Sequence, residues 1–304
     1  MELKAEFITS LRQVPAGEWD TLCDTSYPFL RHDFLLGMET SGCTTADSGW
    51  QPCHLILREG DRAVALLPLY LKSHSYGEYV FDWSWANAWQ QQGLDYYPKL
   101  VSAIPFTPAT GPRLCHLPEL DTGTAWDMAI SALEQFAREQ EISSWHLLFP
   151  TQDISDQLLR RGIAQRRTVQ FHWFNDGYTC FDDFLDTFNS RKRKTLKRER
   201  RRIQEQGLDL QTRVGQQISS EDWARFYRFY QFTYAKRSGH GGYLTRAFFT
   251  DVAAAMGEQV VMVMASHGGE AIAAALYFRG GDTLYGRYWG CTKEFDALQF
   301  DACY

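Results

Sequence analysis

LREGDRAVALLPLYL (57–71) and MASHGGEAIAAALYF (264–278) are the two stretches on which the fold turns. Each reads as a strand, a glycine-containing turn, a second strand of small or branched apolar residues, and then an aromatic end. That pattern is a β-hairpin. Setting Gly60 on Gly268 gives an offset of 208. A second pair agrees: GEWDTL (17–22) lies over EDWARF (221–226), with Trp19 on Trp223 and an offset of 204. Both pairs follow a short strand in the same order. Two matches at nearly one offset point to internal duplication, and so to two related α/β (α+β) domains.

The elements around the hairpins follow from periodicity. In the first half, residues 3–9 read as a strand, 15–23 and 28–42 as helices, 54–73 as the hairpin, and 77–83 as a further strand. Residues 84–118 read as irregular, TAWDMAISALEQFAREQEI (124–142) as an amphipathic helix, and SSWHLLFP (143–150) as a strand. A helix from 155 to Gly162 and a strand over RTVQFHWF (167–174) follow. Ser190 is placed to cap a basic helix that stops at Gly207. LDLQTRV is a strand, Ser219 or Ser220 caps EDWARFYRFYQFTYAKR, Thr245 opens another helix, and 260–290 is a strand meander. The expected domains are 1–166 and 207–304, with 167–206 as linking strand and basic segment. The second copy lacks counterparts of residues 124–150, so it is expected to be C-terminally incomplete, with the fold continuing past Tyr304.

Composition narrows the class. The 304 residues are 44% hydrophobic and 22% charged, which supports a sizeable core in each of two domains. Aromatics reach 15%, leaving a surplus for an aromatic-walled cleft. No segment approaches the ~20 apolar residues of a membrane span, and MELKAEFITSLRQV lacks the apolar centre of a signal peptide. The seven Cys and eight His are scattered, without CxxC or zinc spacing, so no metal site is expected. The expectation is a cytoplasmic protein with reduced thiols. Neither GxxxxGK[ST] nor GxGxxG occurs, which sets aside nucleotide hydrolysis and dinucleotide binding by those motifs. Net charge is −6, yet NSRKRKTLKRERRR (189–202) carries nine Lys/Arg against one Glu. A concentrated basic stretch on an acidic chain implies a local anionic partner.

Strand, helices, central hairpin, then helix and strand is the order of the acetyltransferase (GNAT) fold. Two such units with a basic helical insert resemble the Fem-type aminoacyltransferases. YPFLRHDFL (27–35), PFTPATGPRL (105–114) and YGRYWGC…LQFDACY (285–304) resemble the bacterial FemAB-like proteins of the GNAT superfamily, which carry a peptidoglycan-biosynthesis label. The resemblance implies tandem GNAT-like domains with mixed central sheets. It also implies transfer of an acyl or aminoacyl group from acyl-CoA or aminoacyl-tRNA to a primary amine, with no permanently bound cofactor. Where it implies Leu-His-Phe-Glu, this chain has Leu298-Gln299-Phe300-Asp301, which keeps a carboxylate and loses the histidine.

Acyl transfer to an amine needs a neutral amine, a polarised carbonyl and a protonated leaving group. Arg31, His32 and Asp33 open a helix: Arg31 suits a carboxylate or phosphate, and His32 or Asp33 a proton. The alternative is a solvated helix start with Asp33 favoured by the helix dipole. Alternation sets Arg287 and Trp289 on one strand face and Tyr288 on the other, as an anion clamp with an aromatic wall. Asp301 is the expected partner of Arg287 and a third catalytic candidate; the bland alternative is a structural ion pair. Arg191, Lys192, Arg193, Lys194, Lys197 and Arg198 form the anion-binding set, for tRNA, a nucleotide-linked precursor or anionic headgroups. The rival reading is a non-catalytic protein of the same fold that holds nucleic acid or anionic membrane through this helix.

Overall fold

A computed structural model describes residues 3–253 and 255–303, with the side chains of Phe300 and Asp301 outside the description. The first half runs β1 (Leu3–Ile8), α1 (Ala16–Leu22), α2 (His32–Thr40), β2 (Trp50–Pro52), β3 (His54–Glu59), β4 (Arg62–Leu67), β5 (Tyr70–Lys72), α3 (Trp83–Gln91), β6 (Lys99–Ser102), β7 (Cys115–His116), α4 (Thr122–Glu139) and β8 (Trp145–Leu147). Then come α5 (Gln152–Arg160), α6 (Phe181–Asp186), α7 (Ser190–Glu205), β9 (Leu208–Val214), α8 (Ser220–Ser238), β10 (Val260–His267), β11 (Glu270–Gly280), β12 (Thr283–Cys291) and α9 (Leu298–Cys303). These form a mixed α/β architecture in two compact units. One comprises Met1–Asp156, Gly242–Val260 and Phe278–Tyr285; the other comprises Gln157–Gly241, Val261–Tyr277 and Gly286–Tyr304.

In the first unit, β1, β3, β4 and β7 form one sheet. Gly60 turns the hairpin at φ +58°, a conformation that suits glycine. Leu55, Ile56, Leu57, Ala65, Leu66 and Leu67 are buried, so this hairpin is core on both faces. Helix α4 buries Ala125, Trp126, Ala129, Leu133 and Ala137, a stripe at helical spacing, and Asp121 caps it by accepting from the Thr124 N–H at 2.8 Å. The chain then changes sheet. Past Pro52 and Pro68 the ladder resumes in a second sheet, ordered β2-β5-β6-β8. At the break the Leu69 N–H donates to His54 Nδ1 at 3.1 Å, and His54 Nε2 lies 3.2 Å from Glu39. Glu39 also accepts from Ser10 Oγ at 2.7 Å and the Leu11 N–H at 3.1 Å, so one partly buried carboxylate ties α2 to the sheet corner.

The second unit carries most of the sheet β12-β11-β10-β9. Strand β9 runs antiparallel to β10, from Leu208 opposite His267 to Val214 opposite Val261. Helix α8 starts at a Ser219–Asp222 capping box and stops at Gly239, which is left-handed at φ +71°. It buries Trp223, Phe226, Phe229 and Tyr230.

Five local expectations need correction. Residues 77–83 are not a strand: Tyr79 and Phe81 have φ of +61° and +52°, which turns the chain out of any ladder. Residues 167–174 form no strand among the described residues; the segment is exposed and pairs with no neighbouring strand, so its alternation has nothing to act on. Residues 84–118 are not irregular throughout, since they hold most of α3 together with β6 and β7. Helix α3 buries none of its residues, although Trp85, Ala88 and Trp89 fall at helical spacing. The cap of α7 is Asn189, whose side chain accepts from the Lys192 N–H at 2.9 Å, rather than Ser190. Beyond Thr245 the wider-pitched turn Phe248–Ala253 forms instead of a regular α-helix.

Candidate functional site

The candidates read from sequence fall in different places. His32 is buried, with Nε2 3.0 Å from both the Leu11 and Val14 carbonyls, so it closes the turn before α1. Arg31 donates to Gln259 at 2.7 Å and lies 3.3 Å from Asp33, which faces solvent. In the second unit, the Arg287 guanidinium sits over the Tyr288 ring at 5.0 Å. Tyr288 is buried edge-on to Tyr230, and Trp289 packs beside Ile203, Leu208 and Ala265. The side chain of Asp301 lies outside the described residues.

Helix α7 keeps its charges at the surface and buries only Ile203 among its described residues. Arg193 pairs with Asp186, Lys197 with Asp182 at 3.1 Å, and Arg202 with Asp296. Arg191, Lys192, Lys194 and Arg198 have no ion pair among the described residues. An open groove of about 720 Å³ runs beside the helix, lined by Lys197, Arg200 and Arg201 over Leu185, Ile203 and Leu208.

A dense buried polar arrangement lies on β5 and β6 of the first unit, at residues that the sequence reading did not single out. Lys72 on β5 stands directly opposite Lys99 on β6, and both side chains are fully buried. Like charges facing across a ladder repel, and a buried ammonium needs partners. Segment 73–82 supplies them. Lys99 donates to Glu78 at 2.9 Å, to Asp82 at 2.6 Å and to Ser75 Oγ at 2.9 Å. Tyr96 OH donates to the same Asp82 oxygen at 2.7 Å. Among the described residues Lys72 has no acid in bonding reach; it donates to the Tyr76 carbonyl at 3.3 Å and sits 3.8 Å from the Trp50 ring centre.

Titration follows this arrangement. Burial drives Lys72 down to about 7, helped by the charge of Lys99 and opposed by Glu78 and Asp82. Burial also works to raise Asp82, but hydrogen bonds from Lys99, Tyr96 and Ser75 win and hold it at about 2. For Glu78 burial outweighs Lys99 and the carboxyl is raised. His146 on β8 is pushed down to about 4 by burial and then by Lys99. At neutral pH the cluster therefore holds an ionised Asp82 and a neutral imidazole beside a Lys72 whose proton is held far less tightly than that of an ordinary lysine.

Above this cluster is an aromatic shelf. Tyr76 is 55% exposed, Phe81 70%, Trp83 40% and Trp85 55%. Tyr76 and Trp83 rings meet at 5.0 Å. Helix α3, WSWANAWQQ, carries no charged residue. Tyr79 and Phe81 are left-handed, which costs on the order of 1–3 kcal/mol each for bulky side chains. Asp82 stands at the N-cap of α3 but makes no capping bond, because its carboxylate is turned to Lys99. Gly77 is left-handed at φ +80°, and a Cβ there would run into the Phe106 ring. Backbone strain, buried charge and exposed aromatics thus coincide in one segment, as they do at binding sites. The sequence signal was there: LYLK and PKLVS each set a lysine in an otherwise apolar strand, flanking an aromatic run with two acids.

Known proteins were compared with the chain. No curated protein sequence matches it. Among solved structures, FemX is similar at a TM-score of 0.49 and 10% identity, covering 97% of this chain and 81% of its own. A tandem GNAT protein from the clavulanic acid biosynthesis pathway is similar at 0.46 and 10%, covering 99% and 83%. An aminoglycoside 6′-N-acetyltransferase from Acinetobacter baumannii is similar at 0.34 and 13%, covering 58% of this chain and 99% of its own. The FemAB-like family, described as peptidoglycan biosynthesis/recognition, matches residues 10–304, and the chain belongs to that family.

Proposed function

We propose that this protein is an acyltransferase that moves an acyl or aminoacyl group from acyl-CoA or aminoacyl-tRNA to a primary amine, in the cytoplasm, and that the aromatic shelf of the first unit receives the acceptor. Membership of the FemAB-like family over residues 10–304 carries the reading. The shelf supports the acceptor assignment, because rigid exposed aromatics bind at low entropic cost when their backbone is already fixed. Helix α7 supports a polyanionic donor, since several of its cations make no ion pair among the described residues.

The test is direct. Purified protein is incubated with acetyl-CoA or charged tRNA and a panel of amines, and products are read by mass spectrometry. Acylated amine is expected. With an acceptor in hand, Trp83→Ala and Trp85→Ala are expected to raise KM about tenfold with little change in kcat, the signature of lost uniform binding. A protein that forms no product, yet binds tRNA or anionic vesicles through α7, would instead be a binding module of the same fold.

A further inference from the structure

We propose that Lys99 is a positioning residue: by gripping Glu78 and Asp82 together it holds the left-handed turn between them and so sets the aromatic shelf. Glu78 and Asp82 bracket Tyr79 and Phe81, the two residues with positive φ. One ammonium on β6 meets both carboxylates, at 2.9 and 2.6 Å, and reaches Ser75 at the start of the same segment at 2.9 Å. Three fixed points on an eight-residue segment leave the intervening backbone little choice. The consequence is visible in exposure: Glu78 and Asp82 turn inward and are buried, while Tyr76, Phe81 and Trp83 turn outward. Lys99 itself is anchored in the ladder between β5 and β8, so the grip is made from a rigid element. Tyr76 is fixed independently, its carbonyl accepting from Trp50 Nε1 at 3.1 Å and from Lys72 at 3.3 Å.

A purely structural ion cluster predicts something different, and the two can be separated. Removing Lys99 alone strands two buried acids and destabilises the whole unit. Removing all three charges together, in Lys99→Met/Glu78→Gln/Asp82→Asn, takes away the two acids along with their partner and is expected to keep the fold. Hydrogen exchange by mass spectrometry then reads peptides over residues 73–98 against peptides over 54–67, well below the melting transition. In the triple variant, exchange over 73–98 is expected to rise about tenfold or more while 54–67 stays as in the parent. Shelf tryptophans should also become more accessible to acrylamide. A triple variant that melts like the parent and protects 73–98 like the parent would overturn the proposal and leave Lys99 as a buried structural charge. The KM arm rests on the acceptor reading above: a raised acceptor KM in the triple variant supports both. Raised exchange with unchanged KM supports the clamp and overturns the shelf as acceptor face.

Discussion

Lys72 shows how one side chain writes a pH dependence into the fold. Its ammonium is fully buried, faces Lys99 across the ladder and has no acid in bonding reach among the described residues, and burial brings its pKa down to about 7. The unfolded chain keeps that proton up to the ordinary 10.5. Between these values the unfolded state binds the extra proton, so raising the pH favours folding. Below about 7 both states are protonated and the cost of burying the charge is felt in full. Stability is therefore expected to climb from pH 7 towards pH 10, by at most about 1.4 kcal/mol per pH unit from this group. Denaturant titrations of the parent and Lys72→Met across that range check it. The difference between them should narrow the parent's deficit as pH rises, and a difference that is flat with pH would mean Lys72 stays charged. The sequence marks Lys72 only as a lysine in an otherwise apolar strand and does not show its titration. Burial and the cross-strand partner decide its chemistry, and both come from pairing with β6, 27 positions away.

Helix α7 was readable as an element because its evidence is local. Nine basic residues in fourteen, a single buried Ile203 and a capping Asn189 describe a helix that lies on the surface with its charge in water. What tertiary structure adds is which cations are already paired: Arg193, Lys197 and Arg202 meet Asp186, Asp182 and Asp296. Arg191, Lys192 and Lys194 make no such pair among the described residues. If the helix engages a polyanion, affinity for tRNA should fall steeply with salt as counterions are released. Changing Arg191, Lys192, Arg193 and Lys194 together to Ala should weaken binding and flatten the slope by roughly 0.7–0.9 per lost phosphate contact. Filter binding at several salt concentrations reads both. An unaltered slope for tRNA and for anionic vesicles would leave α7 as a structural arm. Helix α3 is the opposite case: it carries no charged residue and buries none of its residues, so its weak apolar spacing has no core to face.

At the scale of the molecule, the two hairpins sit in the same order of elements. β1, a 3-10 turn at Leu11–Gln13 and α1 precede β3 and β4; β9, a 3-10 turn at Gly215–Gln217 and α8 precede β10 and β11. The registers also correspond, since Leu3 faces Glu59 and Leu208 faces His267, each one residue before the turn glycine. Trp19 and Trp223 are buried in the matching helices. We read this as duplication, and a crystal structure should overlay β1-α1-β3-β4 on β9-α8-β10-β11 strand for strand; different strand order or direction would end that reading. The sequence by itself determined the hairpins, the repeat order, the basic helix and the family, because turn glycines, apolar periodicity and charge density act over a few neighbouring residues. Only the tertiary structure decided the shelf. Lys72, Glu78, Asp82 and Lys99 become one cluster when β5 pairs with β6 and the segment between them folds back. The left-handed turn at Tyr79 and Phe81 exists because buried charge must find its partners, a requirement that no local pattern expresses.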